Sequence, residues 1–118
     1  MPNVQVSYNP TSTPPWGFSP DPVRLNASGN IVFTQAPGSN WTFVTATVTS
    51  GGTQFGTPNP NGNGSEMTLS DAHSSLGRWC YTVTIHMNGA PVGQNVTSPD
   101  PEIVNDPPTP QPVPPAPK

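Results

Sequence analysis

The sequence predicts an all-β protein: an antiparallel β-sandwich of seven or eight short strands over residues 1–106, followed by a proline-rich tail, residues 107–118. Three observations lead there. Short runs of alternating apolar and polar residues recur along the chain, the mark of half-buried strands. Clusters of Gly, Pro, Asn and Asp separate these runs, each a turn signal with its own backbone chemistry. No stretch places apolar residues at helical spacing. Many short strands with frequent turns define the sandwich class.

The elements follow in order. NVQVSY (3–8) turns Val4 and Val6 to one face and reads as the first strand. NPTSTPPWGFSPDP (9–22) holds five prolines, which break a hydrogen-bonded ladder, so it reads as a long loop or an edge crossing. VRLN (23–26) and NIVFTQ (30–35) flank Ala27-Ser28-Gly29 and read as a hairpin or as two short strands, with Val23, Leu25, Ile31 and Phe33 inward. NWTFVTATVTS (40–50) is the longest β-type run. Its parity leaves two readings of the core face, one led by Trp41 and one by Val44 with Val48. GGTQFGTPNPNGNGS (51–65) reads as a loop at the upper end of ordinary loop length. EMTLS (66–70), with Leu69 inward, is a short strand, and DAHSSLG (71–77) a crossing turn or a single helical turn that contributes Leu76 to the core.

RWCYTVTIHM (78–87) is the second long strand. Trp79, Tyr81, Val83 and Ile85 share one face and are assigned to the core, which leaves Cys80, Thr82, Thr84 and His86 on the other. Asn88-Gly89 is a hairpin signal. VGQNVTS (92–98) and PEIVN (101–105), with Ile103 inward, complete the strands. PPTPQPVPPAPK (107–118) has seven prolines in twelve residues, the composition of a polyproline II or disordered spacer.

Charge narrows the function. The net charge is −3 and the basic residues are three, Arg24, Arg78 and Lys118. Phosphate backbones and anionic membrane surfaces call for clusters of Lys and Arg, so nucleic acid is not an expected partner. No apolar run approaches the ~20 residues of a membrane span, so insertion is not expected either. The start, MPNVQVSYNP, lacks a basic region followed by an apolar stretch. The compartment stays open: the protein stays in the cytoplasm, is part of an assembled particle or surface structure, or leaves the cell by a route that this start does not show or with a leader since removed. A single cysteine makes no internal disulfide, so packing alone must hold the fold.

Three segments together resemble the cupredoxin-like and immunoglobulin-like sandwiches: PDPVRLNASGNIVFTQ, GSNWTFV and GRWCYTVTIH. The closing SPDPEIVND resembles a group of small bacterial domains of unknown function, the DP-EP family. The cupredoxin resemblance implies a copper site, but this chain departs from its pattern. Asn40-Trp41 stands where the first ligand histidine belongs, and Val83 where the ligand cysteine belongs. Spacing agrees independently. Cys80 and His86 share a strand face but lie about 20 Å apart at ~3.3 Å per residue. Metal–ligand bonds of about 2 Å do not bridge that. The expectation is a fold of this kind with no metal and no cofactor.

Asp71, His73, Ser74 and Ser75 contain the letters of a hydrolytic triad, but neighbours in one turn do not reach the two ring nitrogens as a triad does. Turn capping is the better reading, and no enzymatic activity is expected. Asp21-Pro22 and Asp100-Pro101 read as turn starters rather than cation ligands. The candidate contact patch is aromatic: Trp16 and Phe18 on the proline-stiffened loop, with Phe55 from the 51–65 loop. Stiff aromatics bury area at small entropic cost, which suits a protein partner or self-assembly. The expected function is a non-enzymatic structural or interaction module working through loops, sheet edges and tail. A carbohydrate-binding module using the Trp16 and Phe18 loop is the alternative, with a glycan as partner.

Overall fold

A computed structural model describes residues 2–50 and 53–107; the proline-rich tail beyond Pro107 lies outside them. The described chain is all β, with ten strands in two sheets. They are β1 Asn3–Tyr8, β2 Trp16–Ser19, β3 Val23–Leu25, β4 Gly29–Gln35, β5 Trp41–Val48, β6 Asn59–Pro60, β7 Glu66–Asp71, β8 Gly77–Met87, β9 Asn95–Thr97 and β10 Glu102–Asn105. One sheet runs β2-β1-β4-β7-β6. The other runs β3-β10-β8-β5, and β9 also pairs with β8, ahead of β10.

The sandwich class stands, with differences in detail. Two of the new strands, β2 and β6, lie inside the segments read as loops. β2 is an edge strand paired only to β1, where its flanking prolines leave no central ladder bond unmade. The sheets are mixed: β1 runs parallel to β4, and β3 parallel to β10. β3 and β4 belong to opposite sheets, so Ala27-Ser28-Gly29 is a crossing and not a hairpin turn. The Asn88-Gly89 signal does mark an antiparallel β8–β9 hairpin. Its connection is two successive turns, closed by Ala90 N–H to Met87 O at 3.1 Å and Gln94 N–H to Pro91 O at 3.1 Å. Residues 71–77 form no helix and cross between the sheets.

The core follows strand parity except where the backbone breaks it. Val4, Val6, Ile31, Phe33, Tyr81, Val83, Ile85 and Ile103 are fully buried. In β5 the pairing slips between Phe43 and Thr45, so Val44 is an inserted residue opposite no single partner. Trp41 and Phe43 face inward before the slip and Ala46 after it, while Val44 is 37% exposed. This settles the two readings of that strand: each face is right on its own side of the bulge. Leu76, assigned to the core, is 56% exposed, because the crossing carries it past the end of the sheets. Trp79 and Val48 are half-buried at the same end. Met67 and Val104 join the core unassigned from sequence.

The two flanks of the sandwich differ. On one, the connection from β6 to β7 closes onto β5, where Phe43 N–H donates to Gly64 O at 2.9 Å. Gly64 has φ +72, and a Cβ there would stand 2.5 Å from Thr42 Cβ and 3.4 Å from Thr42 Cα. Only glycine tolerates both the left-handed backbone and that approach. Gly64→Ala is expected to cost about 1–3 kcal/mol. Gly89→Ala, also at positive φ but with open space around it, should cost less. Urea unfolding of the two variants makes the comparison, and equal losses would remove the close-approach argument. The opposite flank, between β2 and the β9–β10 strip, stays open.

Candidate functional site

The open flank is built by proline chemistry. The strip Asn95–Asn105 runs antiparallel along β8, but its ladder breaks at Pro99-Asp100-Pro101. Ser98 anchors the break from inside. Its N–H donates to Val83 O at 2.8 Å, and its Oγ accepts Val83 N–H at 2.8 Å. Tyr81 N–H reaches across to Pro101 O at 2.9 Å. Asp21, on the crossing from β2 to β3, accepts Glu102 N–H at 3.0 Å and ties the two edges together. A groove of about 510 Å³ remains between them. Trp16 and Phe18 of β2 form one wall, Pro99 and Pro101 the other, with Asp21 and Asp100 at its rim.

The aromatic wall continues into the core. Tyr8 packs against Trp16 with ring centroids 4.5 Å apart, and Trp16 stacks on Phe18 at 5.9 Å and 9°. Phe18 meets Tyr81 edge-on at 6.0 Å, and Tyr81 meets Phe33 at 5.5 Å. Alternation on β2 puts Trp16 and Phe18 on one side, half-buried, so the row is held from beneath by the hydrophobic core. Trp16 also borders a second, more polar groove of about 770 Å³ at the end of the sandwich, beside Asn9, Ser12, Ser39 and Asn40. Of the three residues of the sequence-based patch, Trp16 and Phe18 therefore lie together. Phe55 does not join them: it bridges to Asp71 and packs on Trp79 at 5.6 Å, toward the other end.

Tyr81 joins the row to the core, and its surroundings govern its ionisation. Burial pushes its hydroxyl well above the ordinary tyrosine range, and the negative charge of Asp21 pushes it further. In the unfolded chain tyrosine ionises near ~10. Because the folded value is the higher one, the related stability is complete below about pH 10 and falls as pH rises above it. Tyr81→Phe should flatten that alkaline loss. Thermal unfolding of both proteins between about pH 8 and pH 11 reads it, and identical slopes would contradict the assignment.

At the far end, the polar residues of the triad-like turn meet others in a buried cluster. Asn105 Nδ2 faces Gln54 Oε1 at 3.0 Å, Asp71 Oδ1 at 3.2 Å and Ser75 O at 3.2 Å. Asp71 Oδ1 also accepts His73 N–H at 2.8 Å, the capping contact the sequence implied. The imidazole of His73 turns away to the Leu25 carbonyl at 3.2 Å. Gln54 and Asn105 were not legible as partners, since they are far apart in sequence and carry no motif.

The remaining chemistry-bearing side chains are dispersed. Cys80 lies on the outer face of β8 opposite Glu102, and Arg78 beside it pairs with Glu102 at 3.4 Å. His86 Nε2–H donates to Ala90 O at 3.1 Å, and Nδ1 meets the Asn95 amide at 3.1 Å. Among the described residues no three His, Cys, Asp or Glu side chains converge. Nor is any helix there long and apolar enough to cross a membrane. The fold and flank thus define a small two-sheet all-β protein with an aromatic and proline-walled groove on its open side. No family model matches the chain, and no curated protein matches it.

Proposed function

We propose that this protein is a non-enzymatic interaction module that associates with protein, most simply with copies of itself, through its open flank. The observation that carries this reading is the Trp16–Phe18 pair. Two large aromatics are held half-buried on an edge strand, backed by Tyr81 and Phe33, and both border the groove. Such rings are prepared to bury more area with little further loss of freedom. Prolines at 14, 15, 20 and 22 bracket β2, so its edge is a poor template for another strand. Contact through side chains in the groove fits better than strand addition.

Light scattering of the whole chain from micromolar to millimolar concentration is the test. The mean mass is expected to rise with concentration, and Trp16→Ser to lower that rise at a temperature where circular dichroism shows the variant still folded. A monomer across the whole range would sink self-association. Binding to immobilised sugars by such a monomer, lost in the same variant, would favour the glycan alternative.

A further inference from the structure

We propose that the groove between β2 and Pro99–Pro101 receives the proline-rich segment 107–118 of a second copy of this chain. The inference deepens the interaction reading and rests on it. Three features select this occupant.

The first is shape and chemistry. A polyproline II segment presents rigid prolines at a three-residue repeat and docks between aromatic and proline side chains at small entropic cost. The groove offers Trp16 and Phe18 on one wall and Pro99 and Pro101 on the other. The segment offers the P-x-x-P spacings Pro107–Pro110, Pro112–Pro115 and Pro114–Pro117.

The second is charge. Arg24 pairs with Asp106 at 3.0 Å and Arg78 with Glu102 at 3.4 Å, so two of the three basic residues are engaged within the fold. The third, Lys118, follows the last P-x-x-P pair directly. Asp21 and Asp100 at the groove rim are exposed and have no ion-pair partner among the described residues. A cation flanking a proline motif and acids flanking a proline groove are complementary and set the direction in which the segment lies.

The third is where the segment starts. Pro101 borders the groove, and β10 then runs away from it to Asp106, whose N–H is held by Leu25 O at 2.8 Å. Pro107 therefore stands roughly 20 Å along the chain from Pro101. In the polyproline II form that its composition favours, a twelve-residue segment would span about 35 Å, and its seven prolines disfavour the tight reversal that its own groove would require. A neighbouring copy's groove is the natural receiver. Groove and tail are different surfaces, so each contact is head-to-tail, and it either closes by reciprocal exchange of tails between two copies or continues into larger rings or chains.

The test uses the full chain. Mass by light scattering is expected to rise to the dimer or beyond. A synthetic peptide of residues 107–118 added in excess should return the protein to monomer and shift tryptophan fluorescence, and a scrambled peptide should not. Trp16→Ala should weaken peptide binding by about tenfold or more. Because that change touches the fold, two tail variants carry equal weight: Pro112→Ala with Pro115→Ala, and Lys118→Glu. Both should reduce association, and added salt should reproduce part of the Lys118→Glu effect. Association that needs Trp16 but is unchanged in both tail variants would overturn the tail as occupant and leave the interaction reading standing. Absence of any association would overturn both.

Discussion

Replacing Trp41 with alanine is expected to lower the unfolding free energy by about 3–5 kcal/mol, while Val44→Ala costs less than about 0.5 kcal/mol. The two residues lie three apart on β5, and sequence parity alone makes either a candidate for the core. The structure turns Trp41 inward and Val44 outward, and the bulge after Phe43 then returns Ala46 to the core face. Trp41 is among the largest fully buried side chains and packs edge-on against Phe43 at 4.9 Å. Its carbonyl accepts the Gln35 side-chain amide from the opposite sheet. Alanine would leave a cavity between the sheets that a close-packed interior does not collapse to fill. Small domains carry about 5–15 kcal/mol of net stability, so this one change removes a large share. Val44 instead points out of the sandwich, and its methyl groups lose little on deletion. Urea unfolding of both variants decides the matter; comparable losses would contradict the outward placement of Val44.

Asn105→Ala is the second large effect, expected at about 2 kcal/mol or more. The residue is 2% exposed, and its amide faces Gln54, Asp71 and Ser75 at once. Removing it takes one donor from oxygens that water reaches poorly, which leaves their buried hydrogen bonding incomplete. Asp71, itself 1% exposed, keeps His73 N–H but loses the amide, and Gln54 keeps Ser75 N–H. The cluster also ties β7, β10 and the crossing at 71–77 into one end of the sandwich. A double-mutant cycle with Asp71→Ala is the discriminating measurement. The paired change should cost less than the sum of the single ones. Strict additivity would show that the two side chains do not act together.

How far the sequence could be read follows from how local each signal is. The core face of β8 was plain because eleven regular residues keep one parity, and Tyr81, Val83 and Ile85 are fully buried as that parity requires. The Asn88-Gly89 turn was plain because its chemistry is contained in two residues. β2 was hidden because five prolines outweigh a four-residue strand in any local reading, and an edge strand needs only one partner. The groove was hidden further, since its walls come from residues more than eighty positions apart. Trp16 and Phe18 stood out as unusual aromatics, but nothing in their neighbourhood pointed to Pro99 or Pro101.

Alternation, turn residues and the lack of helical spacing were enough to establish an all-β sandwich, because each acts over a few residues of backbone. Which edges meet, where β5 slips, which buried amide answers which carboxylate and which flank stays open are long-range matters. They are settled by the packing of two sheets whose strands join the first strand to the fourth and the last described strand to the third, as the parallel pairs β1–β4 and β3–β10 show. Local propensity carries no information about such pairings; the burial they jointly achieve does.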